Sequence, residues 1–267
     1  MGLATSQRRQ HILTELLDSK HVTIRDLALD LGTSEATIRR DLKALADDDH
    51  LTLVHGGATL SRNSDYSLHA KRLREVEAKR VIGELASDLV RDGDQLYLDS
   101  GTTCGAMAPH LRARRAITVI TNSLRLAGEL DSQAIIVLGG QYRGDRMDTT
   151  GPLAVHTLEQ LRGFVAFLGA DGLSMDFGPA AADIESAHLH RLVVQHAREA
   201  ILLVDHSKFA LPSLFRIVEW DKISRLVTDR TPDADWRAFL DQHGIEIVCP
   251  KDKEAADFAD DADSEKV

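Results

Sequence analysis

The segment that decides the fold runs from Thr33 to Leu45 and reads TSEATIRRDLKAL. Its apolar side chains Ile38, Leu42 and Leu45 recur at helical spacing, which predicts a helix that buries one stripe. Ser34 stands before this stripe, and a serine there can cap a helix by accepting a hydrogen bond from a free backbone N–H. The segment therefore predicts a capped helix whose polar face carries two adjacent arginines.

A second short helix is predicted just before this one. The run IRDLALDL at residues 24–31 follows Thr23, and Asp26 lies three residues after that threonine, which is the spacing of a capping box. Gly32 begins the turn between the two helices. Two short helices joined by a glycine-containing turn are typical of a helix-turn-helix.

Two further elements complete the N-terminal unit. Ser6–Leu17 has apolar residues at helical spacing and predicts a first helix. Residues 51–60, LTLVHGGATL, alternate around Gly56 and Gly57, which predicts a β-hairpin wing. Residues 1–60 are therefore predicted to form a winged helix-turn-helix domain.

The third helix is the predicted reader of DNA, because the first turns of the second helix of this motif meet base edges in the major groove. Residues 1–60 contain seven Lys and Arg against nine Asp and Glu, so DNA binding requires the cations to be sorted onto one face. We expect Arg39, Arg40 and Lys43 on that face, with Asp47 to Asp49 turned away. A helical protein-interaction module is the alternative. The predicted DNA-binding residues are Thr23, Ser34, Glu35, Ala36, Thr37, Arg39, Arg40, Lys43 and His55.

TSEATIRRDLKAL followed by VHGGA, at residues 33–45 and 54–58, closely resembles the N-terminal signature of DeoR-type bacterial transcriptional regulators. In that family a helix-turn-helix ends in T-I-R-R-D-L and a wing ends in H-G-G-A. Leu53 departs from the family, which often has a basic residue there, and this places more weight on the third helix. The resemblance implies a DNA-binding regulator.

Residues 61–91 are predicted to join this domain to the rest of the chain. SRNSD at residues 61–65 is polar and non-periodic, which predicts a hinge. His69–Val90 follows helical spacing and predicts one long helix. Its charged early part, KRLREVEAKR, is predicted to be a solvated face, and a contact with the DNA backbone or a dimer partner is the alternative.

From Asp92 the chain alternates between short apolar runs and helical segments. Seven runs predict strands: QLYLD, AITVIT, AIIVLGG, FVAFLGA, AILLVD, RLVTD and IEIV. Short apolar strands separated by helices indicate a mostly parallel sheet covered on both faces. Residues 92–250 are therefore predicted to form an α/β domain. The acidic segment 251–267 is low in apolar residues and is predicted to be disordered.

Polar and small residues gather at the carboxyl ends of these strands, where parallel α/β sheets bind ligands. Glycines there let the backbone approach an anion, and hydroxyl groups add donors. The pattern predicts a site for a small polyhydroxylated anion, such as a phosphorylated sugar. The predicted effector-binding residues are Asp99, Ser100, Gly101, Thr102, Thr103, Thr121, Asn122, Ser123, Gly139, Gly140, Asp171, Glu185 and Lys208.

The resemblance continues through this domain in D-S-G-T-T, T-N-S, G-G, F-L-G-A-D-G and D-H-S-K-F. These runs are similar to successive signatures of the DeoR-type sensor domain, whose fold resembles ribose-phosphate isomerase and CoA-transferase-like proteins. The resemblance implies that a sugar phosphate binds here. It implies that Lys208 pairs with the phosphate and that Asp99 or Asp171 accepts hydrogen bonds from the sugar hydroxyls.

Composition bounds the remaining functions. The 267 residues carry a net charge of −10, which argues against coating nucleic acid by bulk charge. The chain has neither a run of about 18 apolar residues nor a secretory leader, so we expect a cytoplasmic protein without membrane contact. Two cysteines are too few for a Cys-rich metal site, and Glu185, His188 and His190 form no metal-binding motif. No metal or cofactor is therefore expected.

Two functions remain. The first is a homo-oligomeric repressor, dimer or tetramer, of a carbohydrate-utilisation operon, whose binding to a double-stranded DNA operator is controlled by a phosphorylated sugar. The second is a sugar-phosphate isomerase-like enzyme with a helical appendage, in which Asp99, Asp171, Glu185 and Lys208 supply acid–base groups. The reader helix favours the regulator, because an enzyme has no evident use for it.

Overall fold

The computed structural model describes residues 5–19, 21–47, 51–60, 68–130, 133–211 and 213–250. The predicted hinge at 61–65, the acidic segment 251–267, Asp48 and Asp49 lie outside the described residues, as does the side chain of Asp47. Within the described ranges, every helix is too short or too polar to span a bilayer.

The N-terminal unit is a winged helix-turn-helix, as the sequence predicts. Its helices are α1 (Thr5–Ser19), α2 (Ile24–Asp30) and α3 (Glu35–Asp47), and its strands are β1 (His21–Thr23), β2 (Leu51–Val54) and β3 (Gly57–Leu60). The strands form an antiparallel sheet in the order β1-β3-β2. Strand β1 was not predicted, because three residues are too few to show an alternating pattern.

The helices of this motif begin at the caps that the sequence predicts. The Thr23 hydroxyl accepts a hydrogen bond from the backbone N–H of Asp26 at 3.1 Å. The Ser34 hydroxyl accepts one from the backbone N–H of Thr37 at 3.2 Å. Each cap satisfies an N–H group that has no partner within its own helix, so local sequence sets where both helices start.

A small apolar core holds the N-terminal unit together. Ile38 and Leu42 of α3 lie in one fully buried cluster with Ile12 of α1. The wing reaches the same core through a close backbone approach, since a Cβ atom on Gly57 would lie 2.0 Å from the carbonyl oxygen of Val22. Glycine is therefore required at the point where β3 passes β1.

The prediction of one helix over His69–Val90 is wrong. The structure has two helices there, α4 (Leu68–Leu73) and α5 (Val76–Asp88). Between them Glu75 adopts a left-handed conformation with φ of 49°, which a continuous helix does not contain.

A buried lysine stabilises this break. The Nζ atom of Lys79 donates hydrogen bonds to the carbonyl oxygens of Lys71 and Arg74, at the end of α4. The last carbonyls of a helix have no partner within it, so a side-chain donor at this point makes the interruption stable. Helical periodicity continues through the break, which is why the sequence pattern does not reveal it.

The rest of the chain forms an α/β domain. Its strands are β4 (Gln95–Leu98), β5 (Thr118–Thr121), β6 (Ala134–Val137), β7 (Gln141–Arg143), β8 (Asp148–Thr150), β9 (Val165–Gly169), β10 (Gly172–Ser174), β11 (Gly178–Ala181), β12 (Glu199–Leu203), β13 (Phe215–Arg216), β14 (Arg225–Val227) and β15 (Glu246–Val248). Its helices are α6 (Thr102–Gly105), α7 (Ala108–Leu111), α8 (Leu124–Glu129), α9 (Pro152–Glu159), α10 (Ile184–His196) and α11 (Ala234–Gln242). Two 3₁₀ turns, His206–Ala210 and Trp220–Lys222, complete it.

The seven predicted strands all enter one parallel sheet, in the order β15-β14-β12-β9-β4-β5-β6. Successive residues of β4 point to opposite faces: Leu96 and Leu98 join one buried cluster, and Tyr97 joins the other. The first cluster includes Ile82 of α5, and the second includes Val193 of α10. Helices therefore cover both faces, and the polar groups of the sheet are left to its carboxyl edge.

Short antiparallel strands accompany this sheet, and the sequence did not predict them. Strands β7 and β8 form a hairpin, while β10, β11 and β13 form a small sheet of their own. Their lengths are two to four residues, too short for an alternating pattern to identify. The hairpin matters for the site, because it supplies one wall.

Candidate functional site

The reader helix presents its cations to solvent. Arg39, Arg40 and Lys43 are exposed on α3, opposite the buried apolar stripe. One guanidinium nitrogen of Arg39 lies 2.8 Å from a carboxylate oxygen of Glu35, one turn earlier. Exposed pairs of this kind are worth about 0–1 kcal/mol, so the arginine can exchange Glu35 for a DNA phosphate or base.

The acid excess of the N-terminal unit is partly hidden inside it. Asp41 of α3 is buried, and its carboxylate accepts hydrogen bonds from the Nε atoms of Arg8 at 2.6 Å and Arg9 at 3.0 Å. Asp30 pairs with His11 at 2.6 Å. Asp41 is thus matched by two arginines of α1, which leaves the exposed cations of α3 unopposed by it.

The other predicted DNA-binding residues divide into caps and surface groups. Thr23 and Ser34 are the helix caps described above, and the Thr37 hydroxyl lies 2.9 Å from that of Ser34. Ala36 and the wing-turn residue His55 are exposed. The wing also exposes apolar Leu53 and Val54, whose side chains offer no charge to a phosphate.

A second candidate site lies at the carboxyl end of β4, in a cavity of about 50 Å³. We call it the effector cavity. Four parts of the chain enclose it: α4, the turn after β4, the β7–β8 hairpin and α10. Its lining residues are Leu68, Lys71, Asp99, Ser100, Gly101, Arg146, Asp148, Ser186 and His190.

A buried acid–base pair forms the floor of the effector cavity. One carboxylate oxygen of Asp99 accepts a hydrogen bond from His190 Nε2 at 2.9 Å, and the other accepts from the Gly169 N–H at 3.2 Å. Burial opposes ionisation of Asp99, but the His190 ring and the Gly169 amide outweigh it and hold the pKa of the carboxyl at about 2. Burial likewise opposes the charge on His190, and Asp99 overcomes it and raises the pKa of the imidazole. Below the raised pKa of His190, the pair is a buried imidazolium–carboxylate contact.

Two further cations line the effector cavity, and each already has a carboxylate partner. Lys71 of α4 pairs with Asp171, whose second oxygen accepts from the Ala182 N–H at 2.8 Å. Burial works against the charge on Asp171, yet Lys71 lowers the pKa of this carboxyl. Arg146 pairs with Asp183. The cavity thus holds lysine, arginine and histidine cations in ion pairs that an anionic ligand could exchange.

The hydroxyl and carboxylate groups of the cavity form a second layer. The Ser100 hydroxyl donates to Asp148 at 2.9 Å, and Asp148 is buried and held by two 2.8 Å contacts with Arg143. Arg143 also donates to Asp183 at 3.0 Å. This network fixes the β7–β8 hairpin against α10 and so fixes one wall of the site.

The predicted effector residues are only partly gathered here. Asp99, Ser100 and Gly101 line the cavity, and Asp171 borders it through Lys71. The side chains of Thr121, Asn122 and Ser123 are buried and bonded within the protein. The Thr121 hydroxyl donates to a backbone carbonyl, Asn122 contacts Tyr97 and the Thr149 carbonyl, and Ser123 caps α8.

The remaining predicted effector residues lie outside the cavity lining. Gly140 is packed against the β8 backbone, since a Cβ there would lie 2.3 Å from the Thr150 carbonyl oxygen, and Gly139 precedes it in this turn. Glu185 accepts a 2.7 Å hydrogen bond from the Thr150 hydroxyl. Thr102 and Thr103 begin α6, and Lys208 lies 3.9 Å from Asp205 on the 3₁₀ turn after β12.

Two family models match the chain along most of its length. The DeoR-like helix-turn-helix domain matches residues 8–64, and the DeoR C terminal sensor domain matches residues 74–230. The chain belongs to the DeoR family. DeoR-family regulators are generally not enzymes, so the match favours the regulator over the isomerase-like alternative.

Curated relatives agree with this assignment. The DeoR-family chain is 33% identical over 256 residues to the HTH-type transcriptional repressor GlcR of Bacillus subtilis, covering 94% of this chain and 98% of the relative. It is 27% identical to the glycerol-3-phosphate regulon repressor of Escherichia coli, covering 91% and 98%. A solved ribose 5-phosphate isomerase A from Methanocaldococcus jannaschii is 20% identical over 50% of this chain and 54% of that one, with a TM-score of 0.38.

Six lining residues of the cavity in this DeoR-family protein were not predicted as effector ligands, and three of them carry basic side chains: Lys71, Arg146 and His190. Lys71 stands in a charged run that predicts a solvated face, and Arg146 stands in a hairpin that was not predicted. His190 did carry a signal. It falls on the buried stripe of α10 with Ala187 and Val194, and a histidine within an apolar stripe needs a buried partner.

Proposed function

We propose that this DeoR-family protein represses a carbohydrate-utilisation operon by binding a double-stranded DNA operator, and that a phosphorylated sugar or related metabolite in the effector cavity releases it. One observation carries the proposal: Lys71, Arg146 and His190 converge beside Asp99. Cations suit a phosphate, and a carboxylate suits sugar hydroxyls. The name of the glycerol-3-phosphate regulon repressor also supports a small phosphorylated polyol.

The effector would bind by exchanging ion pairs. Lys71 would leave Asp171 for the phosphate, and the freed Asp171 would accept a hydroxyl of the ligand. The cavity of about 50 Å³ is small beside the roughly 300–1,000 Å³ of small-molecule sites, so a wall has to move. Because α4 contributes Leu68 and Lys71 to the wall, it is the element that binding would displace.

Helix α4 also supports the proposed link to DNA. Leu73, at its end, packs against the apolar core of the N-terminal unit, two residues from the Lys71 that faces the cavity. A shift of α4 would therefore change how the reader helix is presented. Switching requires the ligand to favour one arrangement over the other, and exchange of the Lys71 pair supplies that difference.

For DNA contact we propose Arg39, Arg40 and Lys43 of α3 with His55 of the wing turn. Paired half-sites on an operator call for a homo-oligomer, a dimer or a tetramer, and contact with the chromosome places the protein in the cytoplasm. For the effector we propose that Asp99 accepts hydrogen bonds from its hydroxyl groups, with the backbone of Ser100 and Gly101 near the anion.

The test is a mobility-shift titration against DNA upstream of the protein's own gene, repeated with a panel of sugar phosphates and glycerol 3-phosphate. Specific binding that one compound releases is expected. Turnover of a panel compound, abolished by Asp99→Asn, would instead support the enzyme and overturn the proposal. Failure to bind any upstream DNA at low salt would also overturn it.

A matched pair of variants tests the assignment of the cavity. Lys71→Met removes the cation that is proposed to bind the phosphate, and we expect about 10-fold to 100-fold more effector to be needed for release. Lys222→Met removes an exposed lysine, paired with Asp221, that does not line the cavity. Equal effector response in both variants would contradict the assignment of Lys71.

A further inference from the structure

A second and larger cleft, of about 540 Å³, opens on the face of the sheet covered by α5 to α8. We call it the arginine cleft. Val76 and Lys79 of α5, Gly105 of α6 and Arg125 of α8 line it, together with Arg72 of α4. Among the described residues, none lines both this cleft and the effector cavity. Its volume falls in the roughly 300–1,000 Å³ range of small-molecule sites.

The arginine cleft is strongly basic, although the whole chain has a net charge of −10. Six of its lining residues are Arg, Lys or His: Arg72, Lys79, Arg80, His110, Arg112 and Arg125. Glu129 is the one acidic residue among the described residues that line it. Four of the six are arginines, which always carry a charge, and Arg72, Arg112 and Arg125 have Glu129 as the lining carboxylate, so the lining favours an anionic ligand.

The pairing of these cations leaves donors available. Arg80 is bound to Glu77 and Glu84, but all three side chains are largely exposed and such pairs exchange readily. Arg112 donates to the backbone carbonyl of Glu129 rather than to its carboxylate. The Glu129 carboxylate itself is occupied by Arg125, at 2.9 and 3.0 Å from Nη1.

Arg125 is the most informative residue of the cleft. Its side chain is 10% exposed, and its Nε and Nη2 atoms are buried with no hydrogen-bond acceptor among the described residues. A guanidinium is always charged and carries five donors. Buried donors without an acceptor are rare in folded proteins, so this pair of N–H groups indicates a site that is completed by an acceptor from outside the chain.

Gly105 fixes where these donors lie. A Cβ atom on Gly105 would stand 2.2 Å from Arg125 Nη2, so the guanidinium rests directly against the α6 backbone. Gly105 and Arg125 both line the cleft, so this contact belongs to residues of its wall. Any side chain at position 105 would displace the guanidinium from this position.

We propose that the arginine cleft is a second ligand site, distinct from the effector cavity, for a small phosphorylated anion with at least two negative charges, such as a diphosphate or a bisphosphate. Arg125 and Arg112 would supply forked N–H pairs to phosphate oxygens from the floor, and Arg72 would close over the ligand from α4. Arginine suits this role because its planar fork matches phosphate oxygens in pairs.

The experiment is a calorimetric titration of the full chain with pyrophosphate, inorganic phosphate and sulfate at an ionic strength of about 0.15 M. Pyrophosphate is expected to bind tightest. Arg125→Met and Arg72→Gln should each weaken pyrophosphate binding at least about tenfold, as expected for a lost charge-assisted hydrogen bond. Lys222→Gln, on the surface, should leave it unchanged, and Lys71→Met, in the effector cavity, reports which of the two sites the anion occupies.

Arg72 is exposed and has no ion pair with the residues that the structure describes, so Arg72→Gln tests the site even if Arg125→Met fails to fold. Thermal unfolding of each variant checks the fold. Absence of binding in the unaltered protein, or a pyrophosphate affinity in both cleft variants equal to that of the unaltered protein, would overturn the proposal and leave an adventitious ion only. Loss of binding in Lys71→Met alone would also overturn it, because the anion would then occupy the effector cavity.

Discussion

Substituting asparagine for Asp99 tests the floor of the effector cavity with the smallest change of shape. The carboxylate accepts its two shortest hydrogen bonds from His190 at 2.9 Å and from Gly169 at 3.2 Å. Asn has one oxygen for these two donors, so its amide group must face one of them. Both members of the ion pair are more than nine-tenths buried, so solvent does little to offset the loss. We expect Asp99→Asn to destabilise the α/β domain by about 2–4 kcal/mol.

The effect of Asp99→Asn should depend on pH with a definite sign. The pKa of His190 is raised above 6.5, so its contribution to stability is full below pH 6.5 and is lost as the pH rises through the folded value. The pKa of Asp99 is lowered from 3.8 to about 2, so its contribution is full above pH 3.8 and is lost as the pH falls towards 2. The difference between the unaltered protein and the variant should therefore be larger at pH 5.5 than at pH 9.

Thermal unfolding followed by tryptophan fluorescence is the assay, because Trp220 and Trp236 are both buried in the α/β domain. The expected loss corresponds to a Tm lowered by roughly 5–15 °C at pH 5.5. Asp221→Asn, an exposed acid paired with Lys222, is the control and should change Tm by at most about 1–2 °C. A Tm difference that is equal at pH 5.5 and pH 9 would refute the account of this pair.

Three further predictions concern the N-terminal unit and its link to the sensor domain. Arg39→Ala and Arg40→Ala should each weaken operator binding by about 1–3 kcal/mol in a fluorescence anisotropy titration. Lys222→Ala is the control and should not change binding. Retained binding by the Arg39→Ala/Arg40→Ala double variant would show that α3 does not read the DNA. Leu73→Ala should leave the effector affinity measured by calorimetry unchanged but reduce the release of the protein from DNA by the effector. Normal release would contradict the proposed coupling through α4. Gly57→Ala should unfold the wing, since its Cβ atom would lie 2.0 Å from a backbone oxygen. We expect this variant to lose operator binding without a lower Tm of the α/β domain. Unaltered operator binding would contradict this account.

Much of the fold can be predicted from the sequence because it depends on residues that are close together along the chain. The Thr23 and Ser34 caps act within three residues, and the structure shows both hydrogen bonds where the sequence predicts them. The seven sheet strands are short apolar runs between helical segments, and all seven enter one parallel sheet. The helix break at Glu75 could not be predicted, because Lys79 stabilises it and the position of this lysine also suits an unbroken helix.

The candidate site could be predicted only in part, because it depends on which strand ends and which helices lie next to one another in the folded protein. The rule that ligands bind at the carboxyl ends of parallel strands led to Asp99, Ser100 and Gly101. The same rule also selected Thr121 and Asn122, whose polar groups the structure uses within the protein. A polar residue at a strand end serves a ligand or the fold according to its neighbours in space, and spacing along the chain does not state which.

The winged helix-turn-helix, the parallel α/β domain and the family could be predicted from the amino-acid sequence, since caps, periodicity and motifs are local properties of the chain. The grouping of Lys71, Asp99, Arg146 and His190 in one cavity, and of Arg125 in a separate cleft, appears only in the folded protein. Ion pairs and buried donors find their partners by distance in space, which spacing along the chain does not reveal. Asp99 and His190 are 91 residues apart in the chain and 2.9 Å apart in the folded protein.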